Sequence, residues 1–439
     1  MKHIKSIILT LLTTLLALPA FAQDFEYEGI WYTVLSDSNT CKTRDEGNVY
    51  SGNLVIPDAV SDGSVEYRVV QIGEQGFSGS SYLASVSIPS TIEAVGKYAF
   101  TGCERLTSLI WRGDRKMPSG VLDSISNPNL LVYVDDKKYA PEGMDHNVVA
   151  DSVCDRLVLT PGYPFTPVAD FTAKTSSMKK EFLQTTAYDG CAGWETIVVP
   201  FDVTRVSSPE GHTLLPFSAV SDVNRQRPFW LYEADPAGEW MEAAGIKAGV
   251  PYIISMPNNP RYNPAYNIHG TVTFSNSSPQ KITTETTMPY VATWATGREF
   301  RSLWLPLDKA ETEDAMGLNV GIDNLTDDNG TLLAPGSAFR IGVAPKPLEA
   351  YVLRNDNAKS FRIHGLQSAV LTLPDEDGLK IAQEGSTIML KSSVARTIEV
   401  YSADGTLLRR LELKAGNPVY VDGLPQGVCL IAGRKIMIH

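Results

Sequence analysis

The 439-residue sequence predicts a mainly-β, multi-domain chain. Three observations carry this expectation. Short apolar segments recur at a fixed spacing in the first third. Short β-branched and aromatic runs, punctuated by Gly, Pro and Asn, fill the middle. A hairpin signal, Asp404-Gly405 between alternating strands, stands near the end. The composition is globular, with 43% hydrophobic and 20% charged residues. Acidic side chains outnumber basic ones, 50 to 38, for a net charge of −12. An acidic chain without a basic stripe lacks the electrostatic footprint of a nucleic-acid binder, and anionic lipid surfaces would repel it.

The first element, residues 1–22, reads as a secretory signal peptide. Lys2 and Lys5 form a positive start, and Ile7 to Leu18 are apolar or Thr. This core is too short to span a hydrocarbon layer of roughly 30 Å as a helix. Ala20-Phe21-Ala22 is a small-x-small cleavage signature, which places the cut between Ala22 and Gln23. Removing two lysines and no acid leaves 36 basic against 50 acidic side chains, a net of −14. No Cys follows the small residues, which argues against a lipid anchor, and no other run is long enough to span a membrane. The expected address is secretion or the outer cell surface, with the periplasm as fallback.

Residues 23–160 hold the repeats. Ile72-Gly73, Phe77, Gly79, Leu83 and Val86 recur as Val95-Gly96, Phe100, Gly102, Leu106 and Leu109, each 23 residues later. That period suits a short solenoid coil. Val86-Ser87-Ile88 would be a strand with two side chains inward. Phe77 and Phe100 would fill the other side of each coil, and Gly79 and Gly102 would permit the corner. Leu54-Val55-Ile56-Pro57 matches the strand end Val86-Ser87-Ile88-Pro89 but lies 32 residues earlier, so an insertion separates them. Val65–Val70, after Asp62-Gly63, suits a hairpin arm there. Asn127–Val134 supplies one more strand as a closing coil. The pattern I-G-x-x-x-F-x-G-x-x-x-L-x-x-V-x-I-P resembles the BspA-like leucine-rich repeats of bacterial surface proteins. The resemblance covers roughly residues 45 to 150 and implies a leucine-rich-repeat solenoid that serves adhesion or protein interaction rather than catalysis. So few coils also suit a spacer.

Residues 161–368 read as a β-sandwich, jelly-roll-like region. Gly193–Asp202 (GWETIVVPFD) and Phe300–Asp308 (FRSLWLPLD) are each a strand ended by Pro-apolar-Asp. Ala248–Ser255 and Leu348–Leu353 each carry an apolar-Tyr strand. The order occurs twice, with offsets of 106 residues for the Pro and 99 for the Tyr, which suggests two related halves. The Trp and Tyr residues on these strands are expected in the core. The stretches Gly193–Asp202 and Ala248–Tyr252 also resemble a β-domain that often follows BspA-like repeats in Gram-negative surface proteins. Asn258–Asn267 is a polar, Pro-stiffened loop with Arg261, Tyr262 and Tyr266, suited either to an ordinary long turn or to sugar contact.

The last element, residues 384–439, contains Ile398-x-Val400-Tyr401-x-x-x-Gly405, Leu424-Pro425-x-Gly427-Val428 and the closing run Arg434–Ile438. This order resembles the Por-type sorting tail of type IX secretion, a small β-sandwich whose presence implies export across an outer membrane. Cys429 stands where that family usually has Tyr.

Signals for chemistry are few. The six histidines include no i, i+4 pair and no H-E-x-x-H, and the chain has no G-x-S-x-G, phosphate loop or dinucleotide fingerprint. Cys191 and His212 are a remote candidate dyad. Asp323–Gly330 is acidic enough for calcium but lacks the EF-hand order, so a solvated turn is expected. Cys41, Cys103, Cys154, Cys191 and Cys429 are widely spaced and odd in number. Buried thiols are the expectation, although an exported chain is free to form disulfides. No catalytic residue, metal or cofactor is therefore assigned. The leading reading is a non-enzymatic surface protein that binds host or bacterial proteins, with the export machinery as a further partner. A carbohydrate-binding protein of a glycan-uptake system is second, and a hydrolase with an unrecognised site is third.

Overall fold

The structure, a computed structural model, describes residues 23–36, 39–183, 193–216, 229–235, 240–256, 268, 270–322, 324–363, 378–384, 387–432 and 434–438. The chain is mainly β. Among the described residues one α-helix occurs, Lys309–Asp314, closed by a capping box between Asp308 and Glu311. Two compact units are present: Met1–Asn127 with Val132–Met144, and Pro128–Leu131 with Asp145–His439.

The first unit is a solenoid with two parallel ladders. One ladder stacks Ser51–Val55, Tyr82–Pro89 and Ser108–Arg112, with Leu54 opposite Val86 and Val86 opposite Leu109. The 32- and 23-residue offsets are thus spatial registers. Leu83, Val86, Ile88, Leu106 and Leu109 are fully buried. Phe77 stacks on Phe100 at 5.4 Å with the rings 13° apart. Successive corners are tied main chain to main chain, Phe77 N donating to Ala99 O and Gly79 N to Thr101 O.

The two repeated glycines have different causes. Gly79 and Gly102 both lie at φ +75°, where a side chain is strained. Gly73 and Gly96 are needed for close approach: a Cβ on Gly73 would stand 2.3 Å from Thr43 O, and one on Gly96 2.4 Å from Glu74 N.

The insertion is the hairpin expected after Leu54–Pro57. Ala59–Ser61 pairs antiparallel with Glu66–Ile72 around Gly63, and the Asp62 carboxylate accepts from Ser64 N and Val65 N. A feature not foreseen is the second ladder, Thr40–Thr43 beside Glu66–Ile72 beside Ala94–Val95. An antiparallel hairpin, Asp24–Tyr27 with Ile30–Val34, caps its first strand. Phe25 packs on Tyr32 and Tyr67 under this cap.

In the second unit the long strand Phe171–Glu181 runs parallel to Val153–Leu159 and antiparallel to Thr271–Asn276 and Gln280–Ile282. Two antiparallel sheets follow. The first runs Glu195–Ile197, Tyr252–Ser255, Trp230–Ala234, Trp240–Glu242 in order across the sheet. The second runs Val291–Thr293, Glu299–Ser302, Ala350–Leu353, Ala315–Leu318, Ala338–Ile341, Ser360–Arg362. They share one core, in which Trp194, Trp230, Tyr232 and Ile253 meet Trp294, Phe300, Met316, Phe339 and Val352. The aromatic strand residues are thus buried, as expected for a sandwich.

In both sequence halves the strand preceding Pro-apolar-Asp pairs antiparallel with the apolar-Tyr strand, Ile197 opposite Tyr252 and Arg301 opposite Tyr351. The Asp of each motif accepts a backbone N–H, Asp202 from Ala248 and Asp308 from Glu311.

The last residues form two small sheets over a core of their own. Leu379–Glu384, Thr387–Ser392 and Pro418–Val421 make one. Leu407–Leu413, Arg396–Ser402, Gly427–Ile431 and Arg434–Ile438 make the other. Leu379, Ile388, Leu390, Val400, Cys429 and Ile431 fill the space between. Gly405 turns the expected hairpin at φ +87°, with Asp404 accepting from Thr406 N.

Candidate interaction surface

The repeat unit presents an open ladder end. Ser51–Val55 is the terminal strand of its sheet, and Ser51, Gly52, Asn53 and Val55 are exposed. Val55 is 58% exposed and neighbouring Val49 73%. Ser51 lies opposite Tyr82, itself 49% exposed. One coil further, 23 residues on, Arg105 lays its guanidinium 4.6 Å from the centre of the Tyr82 ring. An exposed cation–π contact of this kind contributes about 0.5–1 kcal/mol. Beside it the Ser85 hydroxyl donates to Asn53 Oδ1 at 2.8 Å.

Tyr and Arg are enriched where proteins meet, because each offers a large, stiff contact area with a polar tip. The sequence reading missed this pair. The signal that could have found it is the position just ahead of the repeat leucine, Tyr82 before Leu83 and Arg105 before Leu106. Stacking the coils brings these two positions together.

The sequence-predicted candidates fall as follows. Ala22, the loop with Tyr262 and Tyr266, and Cys191 lie outside the described residues, so the Cys191–His212 pairing has no described geometry. Gln23 O accepts from Val34 N, so the main chain enters the capping hairpin at once. The acidic loop is a turn: Asp327 accepts from Asn329 N, Thr331 N and the Arg362 guanidinium, and Asp328 from Lys359 N and the Ser360 hydroxyl. The Asp327 and Asp328 carboxylates are thereby engaged within the loop and its neighbours, and Asp323 lies outside the described residues. Among the described residues no three His, Cys, Asp or Glu side chains are placed to hold a metal ion. Cys41, Cys103, Cys154 and Cys429 are buried, and the Cys154 S–H donates to Arg156 O.

One buried charged cluster went unforeseen. Lys180 and Glu195, both nearly inaccessible, pair at 2.6 Å, and Glu195 also accepts from Leu183 N. Glu349 lies near both, and its carboxyl is pushed up by burial. This cluster fastens the long strand to the sandwich. No helix among the described residues is long and apolar enough to cross a membrane.

Residues 60–127 match a family model described as the BspA type leucine rich repeat region, in six copies. No curated protein matches the chain. Among solved structures, the chain is similar to a leucine rich cell surface protein from Faecalibacterium prausnitzii A2-165, at 24% identity over 22% of this chain and 26% of that one, with a TM-score of 0.20. It is similar to a leucine-rich repeat protein from Bacteroides ovatus ATCC 8483, at 23% identity over 30% of this chain and 38% of that one, TM-score 0.21. A leucine-rich repeat protein from Bacteroides capillosus ATCC 29799 is 17% identical over 29% of this chain and 98% of that one, TM-score 0.19. The chain thus spans well under half the length of the first two.

Proposed function

We propose that the protein is an exported, non-enzymatic cell-surface protein whose repeat unit docks onto other proteins, in adhesion or a related contact. The observation that supports this most directly is the Tyr82–Arg105 stack next to the terminal strand Ser51–Val55, the two stacked residues lying within the segment that matches the BspA-type repeat model. A handful of such residues typically carries most of an interface's binding energy. The proposed organisation is a signal peptide over 1–22, cut between Ala22 and Gln23, repeats over 23–160, a sandwich with two related halves over 161–368, and a sorting tail over 384–439. The tail would direct type IX export from a Gram-negative cell.

Two experiments test this reading. Purified chain should capture biotinylated surface proteins from epithelial or bacterial cells in the presence of excess free glycans. The Tyr82→Ala, Arg105→Ala double variant should weaken capture by about tenfold, the scale of one interfacial hot spot. Capture that free glycans abolish, or that the double variant leaves intact, would remove the proposal. For the address, protease added to intact cells should digest the protein, and deletion of 384–439 should leave it protected inside the envelope.

A further inference from the structure

The tail sheet has a notch. Strand Arg396–Ser402 pairs with Leu407–Leu413 along Arg396 to Tyr401, but with Gly427–Ile431 only from Val400 to Ser402. Its first half therefore has no strand of Gly427–Ile431 beside it, and the gap opens next to the turn at Ala432. An open groove of about 730 Å³ lies there. That is within the roughly 300–1,000 Å³ of small-molecule sites.

Its walls are set by strand alternation. Ile398 and Val400 point into the tail core, so Thr397, Glu399 and Tyr401 share the opposite face. Register places Glu412 opposite Thr397 and Arg410 opposite Glu399. All five line the groove, with Arg396 at its end. The Glu399 carboxylate accepts from the Tyr401 hydroxyl and from Arg410 Nε, the latter at 2.9 Å. These contacts hold Glu399 below the usual carboxylate range and keep the Tyr401 hydroxyl protonated. Carboxylate, guanidinium and ring are thus fixed before any ligand arrives, which lowers the entropic cost of binding.

The chemistry of the walls narrows the ligand. Among the described side chains of its walls two arginines balance two glutamates, so these walls favour neither a phosphate nor a cation. Charged walls reject an acyl chain. What remains is a neutral molecule with both donors and acceptors around its edge and an apolar face. A sugar ring is such a molecule: its hydroxyls pair with carboxylate and guanidinium, and its C–H face lies on an aromatic ring. We propose that the tail groove at Glu399, Tyr401 and Arg410 binds a neutral saccharide. The site shares no residue with the repeat-unit surface or with the Tyr262–Tyr266 loop, and it stands whether or not the repeats bind proteins.

The test is retention of the full chain on a printed array of cello-, xylo-, manno- and mucin-type oligosaccharides, with sialylated and sulfated ones alongside. The expected result is retention on neutral oligosaccharides that Arg410→Ala weakens at least about tenfold. The Arg410 side chain is 65% exposed, so its loss spares the fold. Tyr401→Phe should weaken retention less than Tyr401→Ala, and Tyr262→Ala and Tyr266→Ala should leave it unchanged. Should Tyr401→Ala melt early, Arg410→Ala decides alone. No retention on any neutral oligosaccharide, retention only on acidic ones, or retention indifferent to Arg410→Ala overturns the proposal.

Discussion

Burial decides the chemistry of the thiols. Burial pushes the Cys41 thiol up to about 12 and the Cys103 thiol to about 11, and it raises Cys429 as well. The thiolate is the reactive form, so all three should be inert near neutral pH. Cys103 is also engaged, its S–H donating to Phe77 O. Mass spectrometry after iodoacetamide treatment should find Cys41, Cys103 and Cys429 unlabelled in the native protein and labelled after denaturation in guanidinium. Labelling of any of them in the folded chain would show that its surroundings open. The wide spacing of the cysteines made buried thiols legible from sequence alone. The polar residues that organise loops were not. Asn129, Asn147 and Asn319 are fully buried, and each side chain both accepts a backbone N–H and donates to a backbone carbonyl. Such roles depend on partners 11 to 34 residues away, which no local pattern announces.

Among elements, the coil corners offer the sharpest contrast. Gly73→Ala pushes a methyl group against the main chain of the preceding coil, with Thr43 O and Arg44 C both within 3 Å. The backbone cannot yield there, so the cost should reach the upper end of the roughly 1–3 kcal/mol that overpacking brings. Gly79→Ala meets nothing within 4 Å and is strained only by its positive φ, a cost of about 1 kcal/mol. Chemical denaturation of the two variants should rank them in that order. Equal losses would mean that the coils do not approach so closely. The ladder through Val86 was readable because its apolar residues recur at a fixed offset. The ladder through Thr40–Thr43 was not, because its first two strands mix threonine, lysine, glutamate and arginine with single buried residues and its third is only the two residues Ala94–Val95. Likewise Tyr82 and Arg105 differ in type, so a search for sameness passes over them.

For the whole molecule, carboxylates set the response to acid. Asp62 is held low by the Val65 and Ser64 amides, Asp327 by the Thr331 amide and Arg362, and Asp356 by the Ala358 amide and Arg298. A lowered folded pKa adds stability above the unfolded carboxyl range, and that stability is lost as pH falls through the folded value. Glu349 works the other way. Burial raises its pKa, so its contribution is complete below the unfolded value and disappears as pH rises through the folded one. The lowered groups outnumber it in both units. The thermal midpoint should therefore fall on acidification below about pH 4, and Asp327→Asn should flatten that fall. A midpoint that rises on acidification would contradict this balance. The mainly-β character was visible at this scale from the runs of short strands, whereas the pairing of two sheets over one core draws together residues up to 169 positions apart in sequence, Trp194 and Ile363 sharing that core.

The main-chain bonds between corners have an evolutionary consequence. Phe77 N to Ala99 O and Gly79 N to Thr101 O ask nothing of side-chain identity. A duplicated coil dropped between two existing ones would find the same amides and carbonyls waiting on either side, while the hairpin at the front kept its place. Lineages could thus lengthen or shorten this surface by in-frame copying alone, and try new residues at the positions of Tyr82 and Arg105 without rebuilding the scaffold.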